Sequence, residues 1–397
     1  MDQIINKIKE LSHEYLEEIK TIRTHLHQNP ELSFEEFETS KFVQRQLDSY
    51  GISYKSGFVK TGIVGKIEGK NPNKKVLALR ADMDALPVCE NNSHSICSKN
   101  EGVMHACGHD MHMASLLGTA KILNKLKEEW EGTILLIFQP GEELLPGGAR
   151  MMMEEGALSP EPDLIMAQHV LPDMESGHIG FREGMYMASG DEIYLTIKGK
   201  GGHGAMPHKC DDTILIASHI VVALQQIVSR HADIRIPTVL TFGRMIAEGA
   251  TNIIPQEVKL SGTFRTMNED WRAKAKQLIT DIAQYTAKGM GAECEVDIKH
   301  GYPFLVNDIN YTRSAKSAAI SFLDYERVEN MDIRMTTEDF GFYSQKYPSC
   351  FYRFGVKKEG SGGLHTSNFQ AEDESLETSM GTMAYLAIDF LNNEDEN

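Results

Sequence analysis

No unbroken apolar run in this sequence approaches the roughly 20 residues needed to span a bilayer; stretches such as Ile134 to Phe138 stop far short. The first segment, Met1 to Lys20, interleaves charge with Ile4, Ile5, Ile8, Leu11, Tyr15, Leu16 and Ile19 at helical spacing. It therefore lacks the apolar core of a secretory leader. Positive charge is scarce too. Acidic side chains outnumber basic ones by 57 to 40, a formal charge of −17, and no Lys/Arg run offsets that balance locally. A surface of this sign repels phosphate backbones and anionic lipid, so neither nucleic acid nor membrane is expected as a partner. Cysteine is sparse and unpatterned. Six residues, at 89, 97, 107, 210, 294 and 350, fit reduced thiols in the cytoplasm better than a disulfide framework.

The rest of the composition is that of an ordinary globular protein, 41% apolar and 24% charged. At 397 residues the chain is too long for one core, and two compact units are expected. From Val76, VLALRADMDALPV reads as a buried strand entering a polar loop, and a helix follows from Met111. GTILLIF (132–138) is a second buried strand, ending in QPGEE; a helix over 148–155 leads to a third, DLIMAQHV (163–170). This alternation predicts a layered α/β domain.

Near residue 184 the texture changes. EIYLTIKGK (192–200), a helix over about 212–230, TVLTFGRMI (238–246), EVKLSGTFRT (257–266), a helix over 269–288 and ECEVDIKHG (293–301) form a split βαβ pattern. The expectation is an inserted ferredoxin-like α+β unit at 185–301, inside an α/β domain made of 1–184 and 302–397. The final NNEDEN reads as a solvated end.

Chemistry-bearing residues gather at the predicted strand ends. MHACGHDMH (104–112) packs three histidines, a cysteine and an aspartate together, and Cys107 and His109 are spaced for a loop gripping a cation. The following helix would place Cys107 near a positive dipole, favouring thiolate. Glu142 and Glu143 follow a buried strand directly; in extended backbone they point apart, so one can bind a cation while the other holds water. His169 ends a strand, and His365 follows a glycine-rich turn. Asp82 and Asp84 lie two apart on one side of a strand end, either as ligands, as acceptors that orient a ligand histidine, or as a plain acidic loop. In the inserted unit, His203 sits in a glycine-rich loop, Asn252 in GATNIIP and Arg265 on a strand, where a guanidinium can take a carboxylate with two hydrogen bonds. Each of these has a plain structural explanation alone. Together the N, O and S donors suit zinc, manganese, cobalt or nickel rather than calcium.

RTHLHQNPELSFEE (23–36), RADMDALP, MHACGHDMH, QPGEE, GGHGAMPH, ATNIIP, TEDFGFY (337–343) and GLHTSNF (363–369) occur in this order. With these motifs the chain resembles the metal-dependent amidohydrolases and exopeptidases that include hippurate hydrolase, N-acyl-amino-acid amidohydrolases, N-acetyl-diaminopimelate deacetylase and plant auxin-conjugate hydrolases. The resemblance implies a zinc-exopeptidase-type catalytic domain with a lid and dimerisation insert, and two divalent metals, manganese or zinc, with cobalt or nickel as alternatives. It implies Cys107, His109, Glu143, His169 and His365 as ligands, Glu142 as general base and Asp84 as the supporting aspartate. His203 would reach the substrate carbonyl, and Asn252 and Arg265 would bind substrate. The wider exopeptidase group has His where Asp82 stands and Asp where Cys107 stands; the auxin-conjugate branch shares both changes.

The expected activity is hydrolysis of N-acyl-L-amino acids by activated water, in a cytoplasmic homodimer or higher homo-oligomer acting on a small molecule. The alternatives are a dipeptidase or aminopeptidase on the same scaffold, a hydrolase with Cys107 as nucleophile beside His109, and a binding protein without catalysis.

Overall fold

The computed structural model describes residues 2–91 and 96–393, so the last four positions of the acidic tail lie outside the described residues. The chain divides into two compact units: Met1–Gly184, Val306–Asp332 and Phe342–Asn397 in the first, Met185–Leu305 and Ile333–Gly341 in the second. The α/β expectation holds for the first and the α+β expectation for the second.

The first unit is built on an eight-stranded mixed sheet, in the order Ser53–Phe58, Gly62–Glu68, Thr133–Gln139, Val76–Asp82, Leu164–Leu171, Ser349–Gly355, Ile179–Phe181 and Val328–Asn330. The four strands from Thr133–Gln139 to Ser349–Gly355 run parallel. They are buried almost end to end, as strands covered on both faces must be, which is why they read as unbroken apolar runs. The helix His109–Lys125 is buried on nearly every side. It packs on the sheet and against the helices Asp2–Gln28 and Ser375–Asn392. Gly118 permits that approach: a Cβ there would stand 2.5 Å from Met380 Sδ and 3.2 Å from Ile19 Cγ1.

The helix begins two residues earlier than its periodicity suggested. Gly108, at φ 81°, turns the chain just ahead of it, and His109 becomes its first residue. Connections at the carboxyl ends of the parallel strands therefore carry Asp84, His109, Glu142, Glu143 and His365, the position where open α/β sheets collect ligands.

The second unit is an antiparallel sheet, ordered Thr238–Ile246, Glu257–Thr266, Asp191–Lys198, Glu293–Lys299, packed against the helices Thr213–Gln226 and Glu269–Gly289. Asp191–Lys198 alternates buried and exposed positions, as one solvated sheet face requires. The stretch Thr213–His231 is long and apolar enough by composition to cross a membrane. Its Ile216, Ile220, Leu224 and Ile227 belong to this unit's core. The unit's two ends are tied by Arg272, whose Nε and Nη2 donate to Asp191 at 2.7 and 2.8 Å and whose Nη2 also reaches Gly301 O at 3.0 Å. Removing Arg272 would leave the buried Asp191 carboxylate with Lys276 Nζ at 3.5 Å and the Gly301 N–H at 3.2 Å, a destabilising loss of its closest charge partner.

Candidate metal centre

Within the first unit, residues separated by more than 250 positions meet. Cys107 lies on the turn into the helix His109–Lys125, with His169 Nε2 at 3.5 Å and His365 Nε2 at 3.3 Å from its sulfur. His365 Nε2 is 3.2 Å from Glu143 Oε1. Donor atoms of Cys107, His109 and His169 form one group within 4.8 Å of each other; Cys107, Glu143 and His365 form a second, and His109, Glu142 and Glu143 a third. Asp82 forms a further group with His109 and His112. The sulfur and the His109 ring are each shared between groups. Two cations side by side could therefore use them without rearranging the backbone.

Hydrogen bonds outside the cluster aim these donors inward. His109 Nδ1 lies 2.8 Å from the Asp84 carbonyl oxygen and His169 Nδ1 2.8 Å from that of Val170. A proton on each Nδ1 leaves each Nε2 lone pair facing the cluster. His109 Nε2 has no hydrogen-bond partner, although Asp82 and Glu143 carboxylate oxygens stand 3.6 and 3.9 Å away. An orphaned buried nitrogen facing carboxylates is what a cation site presents, and the mixed N, O and S donors fit a divalent metal ion. His365 adopts φ 63°, uncommon for a residue with a Cβ, and its N–H donates to Ala106 O at 2.8 Å, beside Cys107.

Electrostatics point the same way. Burial opposes charging His109, but Asp82, Asp84 and Glu143 outweigh it and push the imidazole up to about 10. The Glu143 hydrogen bond raises His365 as well, against burial. His169, by contrast, is held well below its ordinary range by burial and by Arg353. The pocket has surplus negative charge and takes up positive charge.

One sequence expectation is corrected here. Cys107 is not favoured as thiolate: burial, then Glu143, Glu142 and Asp82, raise its thiol well above the usual range. Glu142 and Glu143 both reach the group around His109.

Asp82 is held well below the carboxylate range; burial opposes this, and His109, Arg80 and His112 overcome it. It accepts from Arg80 Nη1 at 2.7 Å and pairs with His112 Nδ1 at 2.6 Å. Asp84 Oδ2 accepts from Ser33 Oγ at 2.6 Å and from Glu143 N at 2.9 Å. The two aspartates thus address opposite nitrogens of the His109 ring.

Sequence reasoning missed His112, whose Nε2 accepts the Val170 N–H at 2.9 Å and so ties the strand bearing His169 to Asp82. Its spacing from His109 was visible, but nothing in the sequence separated a ligand from a brace.

His203, Asn252 and Arg265 belong to the second unit. His203 is exposed and pairs in a short ladder with Ile253; its Nδ1 accepts the Ala205 N–H at 3.1 Å. Asn252 is exposed and its carbonyl accepts from Gly204 N at 2.8 Å. Arg265 is half-buried and donates through Nη1 to Met335 O at 3.0 Å.

Comparison with known proteins adds a family match. The family model described as peptidase family M20/M25/M40 matches residues 78–389. An N-acyl-L-amino acid amidohydrolase of Geobacillus stearothermophilus is 42% identical over 301 residues, covering 76% of this chain and 81% of that one. An N-acetylcysteine deacetylase of Bacillus subtilis (strain 168) is 37% identical over 368 residues, 92% of this chain and 95% of that one. A crystal structure from Bacillus subtilis, described as a dinuclear metal binding peptidase from the M20 family, matches with a TM-score of 0.83 at 33% identity, over 96% of this chain and 100% of that one.

Proposed function

This chain belongs to peptidase family M20/M25/M40, hydrolases acting on amide bonds, and from that premise we propose that it removes the acyl group from N-acyl-L-amino acids. The observation that carries the reading is Glu142, a buried carboxylate within the same donor group as His109 and Glu143. Cys107, His109, Glu143, His169 and His365 are assigned as ligands of two divalent cations, manganese or zinc, with cobalt or nickel as substitutes. Such cations supply Lewis acidity, polarising an amide carbonyl and lowering the pKa of water to about 7.

Glu142 takes a proton from the attacking water and returns it to the leaving amine nitrogen. Asp84, held below its ordinary range by the His109 and Ser33 hydrogen bonds and the Glu143 amide against the opposing effect of burial, stays ionised and fixes the His109 ring. His203 accepts at Nδ1, so its proton resides on Nε2, the tautomer needed to donate to a developing oxyanion. Arg265 and Asn252 are assigned to the substrate's carboxylate and backbone.

Acetyl, benzoyl and longer acyl groups suit the same chemistry, and a dipeptidase would need a subsite for an α-ammonium. The test is turnover of N-acetyl and N-benzoyl amino acids against free dipeptides, on metal-stripped protein reloaded separately with zinc, manganese, cobalt and nickel. Acylated amino acids are expected to be cleaved well and free dipeptides poorly; the reverse preference replaces this reading with a peptidase.

The names of the relatives support the substrate class, and they name amidohydrolase and deacetylase activities for those proteins. A cytoplasmic homodimer is proposed as the working form. Thr238–Ile246 and Glu293–Lys299 are the outer strands of the small sheet, and unpaired strand edges invite pairing across a two-fold axis. Sedimentation of the micromolar protein should give twice the chain mass, and a monomer mass removes the dimer from the proposal.

A further inference from the structure

The segment 29–36 joins the helices Asp2–Gln28 and Phe37–Tyr50 and is stitched to both acidic loops of the metal centre. Glu31 O accepts the Ala85 N–H at 2.8 Å, Leu32 bridges to Ala85, and Ser33 Oγ donates to Asp84 Oδ2 at 2.6 Å. Phe34, at φ 65°, lays its ring on Gly141, itself at φ 59°; a Cβ on Gly141 would stand 2.4 Å from that ring. Glu36 is fully buried. Its Oε1 accepts the N–H of Phe34 at 2.8 Å and that of Gly141 at 2.9 Å, and its Oε2 accepts from Thr61 Oγ1 at 2.7 Å.

Gly141 and Glu143 flank Glu142. The Gly141 N–H ends on Glu36, and the Glu143 N–H ends on Asp84 Oδ2 at 2.9 Å. The backbone on each side of Glu142 is thus held by a buried carboxylate, and both carboxylates are engaged by the 29–36 segment. A charged acceptor is the strongest available for two amides converging on one oxygen. Burial, with Asp84 nearby, pushes the Glu36 carboxyl up to about 7, so near neutral pH its charged and neutral forms are both populated, and Oε1 can accept the two amides in either.

We infer that Glu36 is a positioning residue for Glu142, latching the Gln139–Glu143 loop through the Gly141 amide so that the Glu142 carboxylate is held in line with the water it deprotonates. The inference rests on Glu142 being the base. Glu36 touches neither substrate nor cation and acts only through the loop. Displacing a base by about 1 Å costs on the order of 10²-fold in rate, which sets the expected size of the effect.

The experiment uses the full-length protein loaded with manganese or zinc. Glu36→Ala should lower kcat about 10²-fold, with KM within about threefold and metal content unchanged. Glu36→Gln should stay within about fivefold of wild type, because its oxygen still accepts both amides. Hydrogen exchange at the Gly141 amide should be slow in wild type and Glu36→Gln, and fast in Glu36→Ala. Unchanged kcat in Glu36→Ala overturns the inference, as does loss of bound metal in parallel with kcat, which marks a general collapse. Should Glu36→Ala not fold, wild type decides: a Gly141 amide exchanging at a free-loop rate means there is no latch. A wild type that fails to cleave acyl amino acids refutes the functional reading instead, and the amide exchange still tests the latch.

Discussion

Glu142→Gln should bind its full complement of metal, melt at the wild-type temperature, and turn over N-acyl amino acids about 10⁴-fold more slowly. The substitution conserves volume in a position only 6% exposed, so packing around it is preserved. Its effect on the cations is small. Glu142 is assigned no ligand role, and it is one of the carboxylates whose charge raises the Cys107 thiol. Neutralising it eases formation of the thiolate and offsets the lost attraction for a cation. What a carboxamide cannot do is accept a proton from water and pass it to a departing amine. Steady-state kinetics alongside elemental analysis separates the two effects. Turnover within tenfold of wild type would remove Glu142 from the role of base.

Chelation should silence the enzyme, and zinc or manganese should restore it. Without a cation, water near a pKa of about 15.7 replaces water near about 7, and no other group in the cluster supplies a comparable nucleophile. The metal-stripped cluster should carry extra protons at neutral pH. His109 is pushed up to about 10, and the Cys107 thiol is raised well above its usual range. Both groups are therefore protonated at pH 7, and both must lose a proton to become ligands.

Metal affinity rises with pH over the range below about 10, where His109 is being deprotonated, and falls in acid. Calorimetric titration at pH 7 in two buffers of different ionisation enthalpy should show release of about two protons per saturated site. Activity that survives chelator but is lost on thiol alkylation would return the chemistry to Cys107 as a nucleophile. The raised thiol pKa weighs against that outcome, because thiolate rather than thiol attacks.

The parallel strands were legible because burial on both faces leaves an unbroken apolar signature, as in Thr133–Gln139. The one-sided strand Asp191–Lys198 was legible through its alternation. The start of the helix at His109 was not, since Gly108 could equally have continued a loop. Asp82 and Asp84 were seen as a pair at a strand end. That one is braced by Arg80 and His112, and the other by Ser33, follows from neighbours with no common spacing in the sequence. Glu36 ends the motif at 23–36, but its role left no signal, because its partner Gly141 lies 105 positions away and the contact is through a backbone amide that any residue except proline could offer.

The residues alone determined which donor atoms exist and that they cluster at strand ends: side-chain chemistry and hydrophobic periodicity are local properties of a chain. Protonation belongs to the tertiary structure. Cys107 reversed from expected thiolate to thiol, and His109 became a base strong enough to hold a proton at neutral pH, once packing removed water and set Asp82, Asp84 and Glu143 nearby. Coulomb energy depends on distance and on the surrounding dielectric, and folding alone brings groups far apart in sequence close enough, in a dry enough place, for either to matter.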